Sequence, residues 1–179
     1  RVAAFTSAEL PEVLAGDWLA QVDLLAVNSS EAAVIAGLAA AEERPPEQVV
    51  RAALERLGAR YPGLWVSFTA GRHGSWSWDS VSLVHVPAFP VEAVGTAGAG
   101  DAHLAGILCG LAAGLRLGEA QELGALVAAL AVTSPHTIAP EVEREALAAL
   151  AARLALGLSP PVERLLGMEE HGYAGCCSA

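Results

Sequence analysis

Short apolar segments alternate with amphipathic segments over the first 69 residues of this 179-residue chain. The apolar segments have the length of strands, and the segments between them carry apolar residues at helical spacing. This alternation favours a parallel sheet covered by helices, which is an α/β fold. The predicted strands are residues 1–6, 22–27 and 64–69, and the predicted helices are residues 7–20, 31–41 and 47–60.

The pattern changes after Gly71. Two short strand-like segments, 75–79 and 81–86, are separated by a turn and predict a hairpin or an edge ribbon. Three helices are then predicted at about 98–115, 119–132 and 140–156. The end of the chain loses this periodicity. We therefore predict a main domain over residues 1–158 and an accessory or flexible tail over residues 159–179.

The segment Gly95–Asp101 (Gly-Thr-Ala-Gly-Ala-Gly-Asp) directly precedes an apolar helical run. Glycine lets a backbone come close to a ligand, and the free N–H groups of a first helical turn favour an anion. A side chain at Gly98 or Gly100 would block that approach. A carboxylate at Asp101 would be repelled by a bound phosphate unless it takes part in the chemistry, for example by accepting a proton from an attacking hydroxyl. The segment thus indicates phosphoryl transfer; the alternative is a small-residue loop whose aspartate caps the helix.

The composition argues against some classes of binding partner. The chain has 20 acidic and 10 basic residues, a net charge of −10, and no lysine. This argues against nucleic acid, which needs a basic face, and against a lysine-containing P-loop. No uninterrupted apolar run is long enough to span a membrane, so we expect no membrane partner. Three cysteines without metal-ligand or disulfide spacing favour a reducing, cytoplasmic location, and Cys109 is predicted to lie in the core.

Three separated segments resemble motifs of the ribokinase-like (PfkB) carbohydrate and nucleoside kinases. Residues 23–31 resemble the strand and Asn-x-x-Glu motif, and residues 65–74 resemble the Thr-x-Gly-x-x-Gly segment. Residues 94–101 resemble the C-terminal Asp-Thr-x-Gly-Ala-Gly-Asp signature. Their order and spacing agree with the family as well. The resemblance implies a three-layer α-β-α ribokinase-like fold with a mostly parallel sheet, of which this chain supplies the C-terminal portion.

The resemblance also implies an activity, the transfer of the γ-phosphate of ATP to a hydroxymethyl group of a small sugar or nucleoside. In that reaction Asp101 would be the general base. The backbone N–H groups of the anion hole would come from Ala97, Gly98, Ala99 and Gly100. Magnesium would be organised, through water, by Glu31 and Asn28. The nucleotide-binding residues would be Thr69, Gly71, Gly74, Thr96 and His136.

Structural alternatives to these roles stay open. Asn28 and Glu31 are also typical of a strand-end turn followed by a first-turn acid, and Gly71 and Gly74 are typical of a strand-to-hairpin turn. His103 stands where the family has an aromatic residue, commonly Phe, so it is either a packing substitute or a functional group.

Other departures concern the activity as a whole. Gly95 stands where the family usually has an aspartate often involved in monovalent-cation binding, so potassium activation is not expected. The family's sugar-contacting residues come mainly from an N-terminal half, to which nothing here corresponds. Three interpretations follow: a kinase completed by an N-terminal half or a partner chain, a catalytically incompetent nucleotide-binding remnant, or the kinase tail of a longer bifunctional nucleoside-metabolising protein.

Overall fold

The structure, a computed structural model, describes residues 1–38, 44–135 and 142–168. The chain separates into two compact units, Arg1–Phe89 and Pro90–Ala179. Unit 1 is a sheet with helices, and unit 2 is helical in the part that is described. The two units are described in turn.

Unit 1 contains one five-stranded sheet with the strand order β1-β2-β3-β4-β5. The pairings β1–β2 and β2–β3 are parallel, and the pairings β3–β4 and β4–β5 are antiparallel. Four strands therefore run in one direction and β4 runs against them, which confirms the predicted mostly parallel sheet and the predicted hairpin. The elements are β1 (Val2–Ala4), α1 (Leu10–Ala15), β2 (Leu24–Asn28), α2 (Ser29–Ala36), α3 (Pro46–Arg60), β3 (Trp65–Thr69), β4 (Ser75–Trp78) and β5 (Leu83–Val86).

The central strands hold the core of unit 1. Leu25 lies opposite Val66 in the β2–β3 register, and Phe68 lies opposite Trp76 in the β3–β4 register. These side chains belong to one buried cluster with apolar residues of α1, α2 and α3. Full burial of a side chain such as Phe68 contributes about 1.5–3 kcal/mol. This core holds β2 and β3 in place. Two of the sequence motifs lie at the ends of these strands.

Unit 2 begins with an extended segment and continues as α4 (Ala99–Ala112), α5 (Leu117–Ala131), α6 (Arg144–Arg153) and α7 (Pro160–Leu166). Helices α4 and α5 form a close hairpin because glycines face each other. A Cβ added at Gly106 would lie 2.7 Å from the Gly124 Cα, so a larger residue would push the helices apart. Among the described residues, no helix has the length and apolar character needed to cross a membrane.

The structure corrects some details of the sequence-based predictions. The helix expected over residues 31–41 ends at Ala36, because Gly37 adopts a left-handed conformation with φ of 68°. The helix expected over residues 7–20 ends at Ala15, because Asp17 adopts a left-handed conformation with φ of 59° and a separate 3-10 turn follows. Cys109 is exposed rather than in the core, because α4 turns its Gly106 and Gly110 face toward α5.

The predicted division between residues 158 and 159 stays a prediction. Within the segment assigned to the tail, residues 160–166 form α7. Val162 and Leu166 of this helix are buried, and α7 contacts α5 and α6. This part of the tail is therefore integrated into unit 2.

Candidate functional site

In unit 1, two of the motifs meet at the carboxyl ends of β2 and β3. The strands are parallel and Asn28 lies opposite Thr69, so both residues stand at the same edge of the sheet. The Ser29 hydroxyl also donates to the Thr69 carbonyl at 3.3 Å. Ligands of open α/β sheets bind outside the carboxyl ends of the strands. The sequence motifs at residues 28–31 and 69–74 therefore occupy the edge at which such a fold places a ligand.

Asn28 and Glu31 form a reciprocal cap at the start of α2. The Asn28 Oδ1 accepts hydrogen bonds from the Ser30 and Glu31 N–H groups at 2.9 and 3.0 Å. The Glu31 Oε2 accepts from the Asn28 N–H at 2.7 Å, and its Oε1 accepts from the Asn28 Nδ2 at 2.9 Å. The capping role left open by the sequence is thus present. It holds the Glu31 carboxylate, which is partly exposed, in one orientation at the sheet edge.

Oxygen donors of this kind fit a hard divalent cation, which takes one or two protein oxygens and keeps several waters. Both carboxylate oxygens of Glu31 already accept a hydrogen bond from Asn28, so contact through water disturbs the cap less than direct ligation. Across the described residues, no group of three or more His, Cys, Asp or Glu side chains could hold a metal ion without further ligands. The arrangement suits magnesium that is also bound by phosphate, and it does not suit a metal cage built from protein alone.

The turn after β3 depends on two glycines with positive φ. Gly71 has φ of 52° and Gly74 has φ of 84°, a region that other residues rarely adopt. The Gly74 N–H donates to the Gly71 carbonyl at 3.0 Å, and the Ala70 N–H donates to the Gly74 carbonyl at 2.9 Å. A Cβ at Gly74 would overlap the Val86 carbonyl oxygen. Gly74 therefore has a structural reason for being glycine, whereas the space around Gly71 is open.

In unit 2, the glycine-rich segment leads into α4 without a side-chain cap. Gly98 is the N-cap residue, with a left-handed φ of 80°, and its carbonyl accepts from the Ala102 N–H at 2.9 Å. No side chain among the described residues caps this helix start. A Cβ added at Gly100 would meet nothing within 4 Å. The first turn of α4 thus presents backbone N–H groups with open space at Gly100.

Asp101 lies in the first turn of α4, three residues after the N-cap, and is exposed. It is not the N-cap residue, and the structural alternative of a first-turn carboxylate that stabilises the helix dipole stays open. A carboxylate in a first turn gains about 0.3–1 kcal/mol from the helix dipole. It remains open to solvent and available as a proton acceptor.

The loop before α4 is anchored to the end of α5. The Val94 and Gly95 N–H groups both donate to the Val132 carbonyl, at 2.8 and 3.2 Å. The Thr96 carbonyl accepts from the Ala99 N–H at 3.2 Å, and Thr96 and Ala97 are exposed. No sequence motif predicts this anchor, because its acceptor is a backbone carbonyl, which every residue has. His136, predicted to bind nucleotide, lies outside the described residues.

His103 is a buried residue of α4. It is 4% exposed, its Nε2 has no hydrogen-bond partner among the described residues, and burial lowers its pKa to about 4. It is therefore neutral at physiological pH. Of the two readings that the sequence left open, the packing substitute agrees with this burial.

Comparison with known proteins was made by family model, by sequence and by structure. The model of the pfkB family of carbohydrate kinases matches residues 7–144. The sugar kinase YegV of Escherichia coli K12, itself described as uncharacterized, is 44% identical over 61 residues, which are 34% of this chain and 19% of that protein. The fructoselysine 6-kinase of Shigella flexneri is 36% identical over 83 residues, covering 46% of this chain and 31% of that protein.

Among solved structures, the adenosine kinase of Sinorhizobium meliloti has a TM-score of 0.63 and 27% identity, over 86% of this chain and 44% of that chain. This chain thus spans less than half the length of these relatives. The structural likeness confirms the predicted ribokinase-like α/β fold. Since the family model covers more than half of the residues, the chain belongs to the pfkB family of carbohydrate kinases.

Proposed function

We propose that this chain carries the phosphate-handling part of a kinase that transfers the γ-phosphate of ATP to a hydroxymethyl group of a sugar or nucleoside. The observation that carries the proposal is the start of α4, where a left-handed Gly98, an open Gly100 and an exposed Asp101 adjoin uncapped N–H groups. Helix N-termini of this kind favour phosphate groups. Family membership and the named activity of the fructoselysine 6-kinase support the reaction class.

In the proposed reaction, Asp101 takes the proton of the acceptor hydroxyl as that oxygen attacks the γ-phosphorus. A new O–P bond forms, the bond between the γ-phosphorus and the bridging oxygen breaks, and ADP leaves with the electron pair. The N–H groups of Ala97, Gly98 and Gly100 stabilise negative charge on the transferring phosphoryl oxygens, and the Ala99 N–H joins them only if it leaves the Thr96 carbonyl. Exposure of Asp101 keeps its carboxylate within reach of a substrate hydroxyl.

Glu31 and Asn28 would orient water around magnesium at the carboxyl edge of β2 and β3. Bound magnesium would supply charge neutralisation on the phosphates. The capping hydrogen bonds hold Glu31 for that purpose. Thr69, Gly71 and Gly74 would form a nucleotide platform within unit 1. Thr96 is proposed as a nucleotide-binding residue within unit 2. Gly95 offers no carboxylate, so the proposed reaction does not depend on potassium.

The general-base role is tested by Asp101→Asn. In this and every later turnover assay, the full chain is combined with an N-terminal half from a pfkB relative. We expect turnover to fall by roughly 10²- to 10⁴-fold, the usual contribution of a positioned general base, with nucleotide affinity nearly unchanged. The matched control is Glu92→Gln, which removes an exposed acid from the same unit. Steady-state kinetics and calorimetric nucleotide titration provide both values. Turnover of Asp101→Asn equal to that of the control would overturn the assignment.

The phosphate-binding role of the α4 N-terminus is tested by Gly100→Ala. The added Cβ enters open space, so folding is retained, and stability rises by up to about 1 kcal/mol from helix propensity. Nucleotide affinity or turnover nevertheless falls, because the methyl group stands where phosphate approaches. Gly157→Ala is the control, since its added Cβ also meets nothing within 4 Å. A Gly100→Ala protein with unchanged binding and turnover would refute phosphate binding at this turn.

A second candidate function is nucleotide binding without transfer. It is favoured by Gly95, which replaces a carboxylate of the family signature. Nucleotide titration followed by an assay with a pool of pentoses, hexoses and nucleosides separates the two candidates. Binding without product formation, both by the chain alone and by the chain combined with an N-terminal half from a pfkB relative, would support this second candidate. Because the chain spans under half of its relatives' length, we also keep the proposal that it is the kinase part of a longer bifunctional nucleoside-metabolising protein.

We place the proposed reaction in the cytoplasm. The three cysteines have no disulfide spacing in the sequence, which favours a reducing compartment. The acceptor is proposed to be a small sugar or nucleoside, read by residues of an N-terminal half or of a partner chain. Expression with and without an N-terminal half from a pfkB relative tests this: restored turnover only in the combined protein is the expected result.

A further inference from the structure

His85 makes a connection that the sequence motifs did not include. It lies on β5, opposite Trp76 of β4 in the antiparallel register. Its imidazole ring stacks on the Trp76 indole, with centroids 4.3 Å apart and an interplanar angle of 24°. Trp76 is buried, so the stacked ring has a fixed base.

The free edge of that ring reaches the turn between β3 and β4. The His85 Nε2 lies 3.0 Å from the His73 carbonyl oxygen. A carbonyl can only accept, so this ring nitrogen carries the proton and donates. His73 is the last residue of the turn Gly71–His73, which lies inside the Thr-x-Gly-x-x-Gly segment.

Two further contacts hold the same turn against β5. Gly74 approaches the Val86 carbonyl so closely that a Cβ there would overlap it, and Ser75 pairs with Val86 in the sheet register. Within the turn, the His73 N–H donates to the Ala70 carbonyl at 3.0 Å. The turn is thus held on one side by backbone packing and on the other by the side-chain donor of His85.

We infer that His85 is a positioning residue for the nucleotide: by donating to the His73 carbonyl, it fixes the turn Gly71–His73 in the conformation that binds phosphate or ribose. The inference rests on the proposed function. His85 itself touches no substrate, and it acts only through the His73 carbonyl. Its expected signature is a change in nucleotide affinity with little change in the chemical step.

The test compares three variants of the full chain. His85→Phe keeps an aromatic ring on Trp76 and removes the donor, and His85→Gln keeps an N–H donor of similar reach. Val84→Ala is the control, since Val84 is the preceding, exposed residue of β5. We expect His85→Phe to raise the KM and Kd for ATP by roughly 3- to 10-fold, as for the loss of one hydrogen bond, with kcat within about twofold. His85→Gln should recover most of the affinity, and Val84→Ala should match the wild type.

Amide hydrogen exchange measures positioning without nucleotide. The Ala70, His73 and Gly74 amides, all bonded within the turn, should exchange faster in His85→Phe than in the wild type or in Val84→Ala. Unchanged exchange, unchanged ATP affinity in His85→Phe, or failure of His85→Gln to restore it would each overturn the inference. A wild-type chain that binds no nucleotide would instead overturn the proposed function, so the two failures are distinct.

Discussion

His103 should make the stability of this protein depend on pH in a range where carboxylates contribute little. The imidazole is buried in α4, and its Nε2 has no partner among the described residues. Burial disfavours the imidazolium and lowers the pKa from the ordinary value of 6.5 to about 4. The unfolded chain therefore binds a proton at a pH where the folded chain does not.

The direction and size of the effect follow from that difference. At pH values above about 6.5 the imidazole is neutral in both states, and its contribution does not change. As the pH falls from 6.5 toward 4, the unfolded state gains the proton first, so stability is lost. The gap between 6.5 and about 4 corresponds to about 3 kcal/mol. Below pH 4 both states are protonated and this loss levels off.

The assay is urea unfolding followed by circular dichroism, at pH values between about 7.5 and 4, for the wild type and His103→Phe. We expect the free energy of unfolding of the wild type to fall by about 3 kcal/mol more than that of the variant over the range from 6.5 to 4. The Glu9 carboxylate accepts a hydrogen bond from the Thr6 N–H, which lowers its pKa. Protonation of Glu9 in acid therefore also lowers the free energy of unfolding. That loss occurs in both proteins and cancels in the difference.

Val127→Ala is the control for a packing change in the same helix pair. Val127 is buried on α5, and its Cγ2 would lie 3.0 Å from a Cβ at Gly106. Truncation should lower stability by the same amount at every pH, because no titratable group is removed. If the wild type and His103→Phe lose stability in parallel between pH 6.5 and 4, the buried neutral histidine is not the cause and the reasoning fails.

Three further substitutions, one of them with a matched control, test local geometry by denaturant unfolding. Asn28→Ala should lower the free energy of unfolding by about 1 kcal/mol, because the cap of α2 is lost; an unchanged value would contradict a stabilising cap. Gly106→Ala should lower the free energy of unfolding by about 1–3 kcal/mol, because its Cβ meets the backbone of α5. Gly63→Ala is the control: its Cβ enters open space, so the free energy of unfolding should change by less than about 1 kcal/mol. Glu47→Gln removes an exposed ion pair with Arg51 and should change stability by less than about 0.5 kcal/mol; a larger loss would contradict the weakness of surface pairs.

The elements of unit 1 were predictable because the spacing of their apolar residues agrees with the residues that start and end them. Pro46 opens α3, and apolar residues such as Val50 and Leu57 recur at helical spacing along it. The strand β2 is apolar up to its last residue, Asn28, and β3 has the consecutive buried residues Val66, Ser67 and Phe68, as expected where both faces of a strand are covered. The break after α1 was not predictable in the same way. It depends on the left-handed Asp17 and on the Trp18 indole, which fills the space beside Gly16.

The sequence motifs of the candidate site were predictable, but the contacts between their residues were not. Asn28 and Thr69 are far apart in sequence, and only the register of β2 against β3 brings them to one edge. The hydrogen bond from His85 to the His73 carbonyl could not be predicted from the sequence. The sequence shows neither the register of β5 nor the tautomer of the imidazole. Cys109 was misassigned because an apolar helix does not reveal which of its faces packs. Here the packed face is the one with glycine.

Glycines in the motifs look alike in sequence, yet the structure separates two physical reasons for them. At Gly74 and Gly106 a Cβ would collide with backbone, so folding alone accounts for the residue. At Gly100 a Cβ would meet nothing within 4 Å, and alanine in that helical turn would gain up to about 1 kcal/mol. Folding therefore does not account for Gly100. A glycine that lowers stability without a steric need, next to uncapped N–H groups and an exposed aspartate, supports the proposal that a ligand approaches the backbone at this turn.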